Sequence, residues 1–127
     1  MFKRNVKINI VMNYLENNKI ISKFMGSDPN INLNYHSDYN LLYSVIDKIE
    51  TIDLKDNYYI WEDEEGLHYN FLNVSVWVEN KFCDIYINLD LDPPVSIAYF
   101  NLDNRKESIY NAILKFIEYY EKINKNS

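Results

Sequence analysis

The sequence predicts an α+β fold in which three α-helices pack with a small antiparallel β-meander of three to four strands. Two observations predict it. Residues 72–91 alternate between apolar and polar side chains on either side of a short loop, which is typical of strands with one buried face. Three other stretches repeat apolar residues at helical spacing, two before the strands and one after them.

The hairpin over residues 72–91 is the centre of the predicted fold. We expect one strand over 72–78, a four-residue loop over 79–82, and a second strand over 83–91. In this register Val76 lies opposite Ile85, and the apolar residues on either side of that pair also meet. A slip by one residue would expose this whole face, so the pattern fixes the pairing.

The opposite face of the same hairpin combines aromatic and polar side chains. Trp77 lies across from Asp84, and Ser75 lies across from Tyr86. Aromatic side chains beside polar ones on a sheet face are typical either of packing under a helix or of an interface with another chain.

The helices have predicted starts and ends. The first runs from about Asn13 to Met25 and ends at Gly26, a common helix C-terminal residue. Ser37 or Asp38 caps the second. The third begins near Asn104, which forms a capping box with Glu107. The apolar stripes of the second and third helices are Leu41, Leu42, Val45, Ile46, Ile49 and Ile52, and Ile109, Ile113, Phe116, Ile117 and Tyr120.

The sequence patterns that predict the remaining strands are weaker. Residues 1–12 fit a short strand or an extension, and 58–61 fit a strand that leads into the acidic turn 62–66. The strand that follows changes phase between Phe71 and Leu72, which indicates a β-bulge. Residues 95–99 fit a short edge strand after two prolines.

The length, charge and cysteine content of the chain limit the functions that it can have. The chain has 127 residues, which we expect to form a single domain, with net charge −6 and a pI of about 4.8. This charge disfavours nucleic acid, whose phosphates need clustered Lys and Arg, and it suits a basic partner. Cys83 is the only cysteine, and no apolar run approaches the length of a membrane span. We therefore expect a cytoplasmic protein, with no membrane partner and no cofactor.

Three stretches resemble the phage ABA sandwich domain, a family of small phage and prophage proteins. They are residues 20–26, residues 35–42 with 45–50, and residues 106–113 with 116–120, and they lie on the three predicted helices in order. Tyr39 and Ser44 depart from the family, in which Trp and Pro are usual. The resemblance implies an α/β/α sandwich-like fold and the cytoplasm of a bacterial host cell. It implies no catalytic residues.

The polar candidates each have two interpretations. Asp90 and Asp92 share one strand face and could ligate Mg²⁺ or Ca²⁺, or simply form a solvated strand end. His36 with Asp38 could form a proton relay, or Asp38 could cap a helix. Cys83 could be a nucleophile, but it falls on the apolar face of the hairpin, where a thiol is a small hydrophobe. In all three cases the structural interpretation is favoured, and no catalytic, cofactor or metal residue is assigned.

The aromatic residues Trp77, Tyr86, Phe71 and Tyr69 are the strongest candidates for an interface. We expect a non-enzymatic phage or prophage accessory protein that acts through protein–protein contact as a homo-oligomer. One alternative is a counter-defence protein that inhibits a host nuclease or binds a signalling nucleotide, and host proteins are its partners. A further alternative is a small hydrolase or metal enzyme that uses Asp90, Asp92 and His36.

Overall fold

The structure is a computed structural model that describes residues 14–54, 60–69, 73–88 and 95–125. It has the predicted α+β fold, with three helices and a three-stranded antiparallel sheet. The helices are α1 (14–24), α2 (Tyr39–Glu50) and α3 (Arg105–Lys125), with a 3₁₀ turn at Tyr35–Ser37. The strands are β1 (Ile60–Asp63), β2 (Gly66–Tyr69), β3 (Asn73–Glu79), β4 (Phe82–Asn88) and β5 (Val95–Asn101).

The predicted helix ends are confirmed in atomic detail. Gly26 takes a positive φ of 74°, and its N–H donates to the Lys23 carbonyl while that of Ser27 donates to the Ser22 carbonyl. These two bonds form a Schellman motif that satisfies the last carbonyls of α1. Asp38 Oδ1 accepts from the N–H groups of Asn40 and Leu41, so Asp38 is the cap of α2.

The start of α3 also follows the prediction. Asn104 Oδ1 accepts from the Glu107 N–H at 2.9 Å, which is the first half of the capping box. One turn later, the buried Ser108 hydroxyl accepts from the Leu102 N–H at 2.8 Å. The helix is therefore fixed directly to the chain that leaves β5.

The central hairpin has the predicted register. Val76 pairs with Ile85, Trp77 with Asp84, and Val78 with Cys83. The predicted four-residue loop is wrong, because Glu79 pairs with Phe82 and the strands join through a two-residue turn at Asn80 and Lys81. Asn80 takes a positive φ of 52°, which asparagine tolerates and tight hairpin turns require.

The sheet has the order β3-β4-β5, so β4 is its central strand. β5 continues two residues beyond the predicted edge strand, to Asn101. Its pairing with β4 shifts between Ile85 and Tyr86, because Ala98 pairs with Ile85 and Ser96 pairs with Tyr86. β1 and β2 form a separate two-stranded sheet. The predicted acidic turn over 62–66 is too long, because Asp63 pairs with Gly66 and the turn is only Glu64 and Glu65.

All three helices share one core with the inward-facing side chains of the sheet. Its fully buried members include Ile21 of α1, Leu42 of α2, Ile85 of β4 and Phe116 of α3. Lys48 of α2 is half-buried, and its ammonium group lies over the Phe24 ring. The helices therefore cover one face of the sheet, which we call the inner face.

Three predictions about secondary structure lie outside the described residues. They are the short strand or extension over residues 1–12, the β-bulge between Phe71 and Leu72, and the end of the hairpin beyond Asn88.

Candidate functional site

The outer face of the three-stranded sheet is the candidate site. Its side chains alternate with the inward-facing ones along each strand. They are Ser75, Trp77 and Glu79 from β3, Phe82, Asp84 and Tyr86 from β4, and Ser96, Tyr99 and Asn101 from β5.

Large aromatic side chains on this outer face are open to solvent. Trp77 is 52% exposed and Tyr99 is 55% exposed, and Phe82 lies between them half-buried. The Phe82 ring meets Trp77 edge-on at 5.0 Å between centroids and lies 5.8 Å from Tyr99 at a tilt of 30°. The three rings form one continuous patch, which we call the aromatic row.

Asp84 lies at the centre of the outer face. It pairs with Trp77 on one side and with Tyr99 on the other, because β4 is the middle strand. The Ser96 hydroxyl donates to Asp84 Oδ1 at 2.7 Å and so orients the half-buried carboxylate. The outer face therefore combines apolar contact area with one fixed acidic group.

The predicted interface residues are only partly covered by the structure. Trp77 and Tyr86 do lie on the outer face. The Tyr69 side chain and all of Phe71 lie outside what is described. Phe82 and Tyr99 belong to the face but were missed, because the prediction placed Phe82 in the loop and left the β5 pairing open.

His36 is part of a different cluster, which joins the 3₁₀ turn to α1 and α3. Asn18 Nδ2 donates to His36 Nδ1 at 3.0 Å, and the Tyr110 hydroxyl donates to Asn18 Oδ1 at 2.9 Å. The Tyr14 ring stacks on the His36 ring with centroids 4.2 Å apart. We call these four residues the Asn18 cluster.

Burial decides the charge states in the Asn18 cluster. It lowers the pKa of His36, which favours the neutral imidazole that can accept at Nδ1. It raises the pKa of Tyr110, and the neighbouring Tyr14 adds to that rise. Burial also raises the pKa of Tyr14, with a smaller contribution from Glu107. The cluster is thus neutral and suited to holding three segments together.

The structure gives His36 and Asp38 separate hydrogen-bond partners, so it lends no support to the less favoured alternative of a proton relay between them. Asp38 Oδ1 already accepts from two backbone N–H groups at the start of α2, while His36 Nδ1 accepts from Asn18. The alternative interpretation of Asp38 as a helix cap is confirmed. Asp90 and Asp92 lie outside the described residues, so the metal interpretation stays a prediction.

Cys83 is a core residue, as its place in the hairpin pattern predicts. It is completely buried, and burial together with the nearby charge of Asp84 raises the pKa of its thiol to about 12. A thiol with such a pKa carries almost no nucleophilic thiolate at neutral pH.

A groove of about 340 Å³ lies between α1, β5 and α3. Ile20, Phe100 and Leu114 give it an apolar lining, while Glu118 and Glu121 contribute acidic groups. Lys115 adds one basic group to the same lining. Among the residues described, no group of three or more His, Cys, Asp or Glu side chains is placed to hold a metal ion.

No helix in the described ranges is long and apolar enough to cross a membrane. Comparison with protein-family models, with curated proteins and with solved structures finds no match to this chain.

Proposed function

We propose that this is a non-enzymatic phage or prophage accessory protein that acts through protein–protein contact and associates with itself through the outer face. The observation that supports this proposal most directly is the aromatic row, in which Trp77 and Tyr99 are each more than half exposed. Large rigid aromatic side chains contribute much of the binding energy at protein interfaces. Three in contact on one sheet face suit that role better than any catalytic one.

The charge distribution is compatible with self-association. Two copies that each carry a net charge of −6 repel one another at long range. The outer face is nevertheless poor in charge, because Asp84 and Glu79 are the two carboxylates among its nine described side chains and Glu79 lies at the end of the face. Contact through this region brings few like charges together.

Sedimentation velocity over a wide range of protein concentration tests the proposal. We expect the wild type to associate and Trp77→Ala to weaken that association by about tenfold or more, since truncated interface aromatics commonly cost about 2 kcal/mol. Tyr43→Ala is the matched control, because Tyr43 is an exposed aromatic residue on α2 and not on the sheet.

Two results would contradict the proposal. One is a wild-type protein that stays monomeric at every concentration. The other is an oligomer that Trp77→Ala leaves unchanged while Tyr43→Ala dissociates it, which would move the contact to the helical side.

A further inference from the structure

We propose that the centre of the outer face is a receptor for one arginine side chain of a basic partner protein, with Asp84 as its carboxylate and Trp77 and Tyr99 as its walls. The inference rests on the proposed function in one respect, namely that the outer face is open to another chain. It adds the chemistry that this face recognises.

The geometry provides both parts of an arginine site. Asp84 stands on the middle strand, with Trp77 directly beside it on β3 and Tyr99 directly beside it on β5. Phe82 precedes Asp84 on the same face and contacts both of those rings. A carboxylate therefore lies within a frame that is aromatic on three sides.

The Asp84 carboxylate can accept further hydrogen bonds. Ser96 Oγ donates to Oδ1, and in the described part of the chain Asp84 takes part in no ion pair. A half-buried carboxylate has lost some of its hydration, and a cation that binds it replaces the lost interactions. The hydrogen bond from Ser96 engages Oδ1, so Oδ2 is left for a donor from another chain.

Arginine fits this frame better than the other cations of proteins. Its planar guanidinium can stack on an aromatic ring and donate to a carboxylate at the same time. The lysine ammonium is a more strongly hydrated point charge, and a divalent metal ion needs several oxygen ligands. The net charge of −6 adds a long-range attraction for a basic partner.

The arginine site and the self-association surface overlap. Trp77 and Tyr99 cannot contact a second copy and an incoming guanidinium in the same way at once. We therefore expect an arginine-bearing partner to compete with self-association.

Nuclear magnetic resonance at a protein concentration where sedimentation shows monomers tests the arginine site. The probe is a short capped peptide with one arginine among glycines and serines, and its control carries citrulline, a neutral isostere, in place of arginine. The signal is the indole N–H of Trp77, assigned by its loss in Trp77→Phe. We expect it to shift saturably with the arginine peptide and about tenfold more weakly with the citrulline peptide.

Two variants test whether the Asp84 carboxylate supplies the negative charge that binds the arginine. Asp84→Asn keeps the shape of the side chain and an acceptor for Ser96, and we expect it to weaken binding about tenfold. Glu79→Gln removes the same charge from the end of the same face, and we expect it to bind as the wild type does.

Equal binding of both peptides, an Asp84→Asn variant that binds like the wild type, or no saturable shift at all would each overturn the inference. The proposed self-association fails separately, when the wild type sediments as a monomer throughout. The titration uses monomeric protein, so its result stands in either case.

Discussion

Asn18 of α1 and Tyr110 of α3 share a 2.9 Å hydrogen bond in which both side chains are almost completely buried. The same Asn18 amide donates to His36, so one side chain links two helices and the 3₁₀ turn. A buried polar group that loses its partner keeps its desolvation cost. The Asn18 cluster is therefore a site where small changes should have large effects.

Asn18→Ala should lower the free energy of unfolding by about 2–3 kcal/mol, because the buried Tyr110 hydroxyl loses its acceptor. Urea unfolding monitored by circular dichroism measures the change. Asn17→Ala, on the neighbouring half-buried residue, is the control and should cost less than about 1 kcal/mol. Equal effects of the two substitutions would contradict the importance of the cluster.

Stability should fall as the solution becomes acidic, because burial lowers the pKa of His36 in the folded protein. Below the ordinary histidine pKa of 6.5 the unfolded chain binds a proton more readily than the folded one. Urea unfolding from about pH 7.5 down to about pH 5 should therefore show a loss of stability.

His36→Gln should flatten that pH dependence, whereas His68→Gln serves as the control for the second histidine of the chain. If His36→Gln keeps the full wild-type slope, other groups cause it and the pKa of His36 is not lowered.

Gly26→Ala should destabilise the protein by about 1 kcal/mol, because alanine rarely adopts the positive φ at this position. Gly26 has a φ of 74°, and a Cβ added there would meet nothing within 4 Å. Gly26→Asn should cost less, since asparagine tolerates this conformation. Thermal unfolding of the two variants compares them, and an alanine variant as stable as the asparagine one would contradict the backbone explanation.

Cys83 should resist thiol reagents in the folded protein. It is fully buried, and the pKa of its thiol is raised to about 12, so both access and thiolate are lacking. We expect a chromogenic disulfide reagent to modify Cys83 rapidly in concentrated urea. Without urea, we expect the modification to be no faster than the unfolding of the protein. Rapid labelling of the native protein would show that the inner face of the hairpin is open.

The sequence was informative where one local pattern decided the structure. The pairing of Val76 with Ile85 followed from alternation, and it survived a wrong loop length because both loops leave Val78 opposite Cys83. The cap Asp38 followed from its place before a helical stripe. These features depend on neighbouring residues only.

Features that depend on distant residues could not be read in the same way. Asn18 meets His36 and Tyr110 at sequence separations of 18 and 92, and no spacing marks such contacts. Tyr99 joins the aromatic row only because β5 pairs with β4. Trp77 of the candidate site could therefore be predicted from the hairpin pattern, whereas Tyr99 could be placed only from the fold.

Hydroxyl-radical footprinting at low and high protein concentration tests the outer face as the contact surface most directly. We predict that oxidation of Trp77 and Tyr99 falls as the protein associates, while oxidation of Tyr43 stays constant. Unchanged oxidation of Trp77 and Tyr99 in a protein that does associate, with protection of Tyr43 instead, would contradict the account.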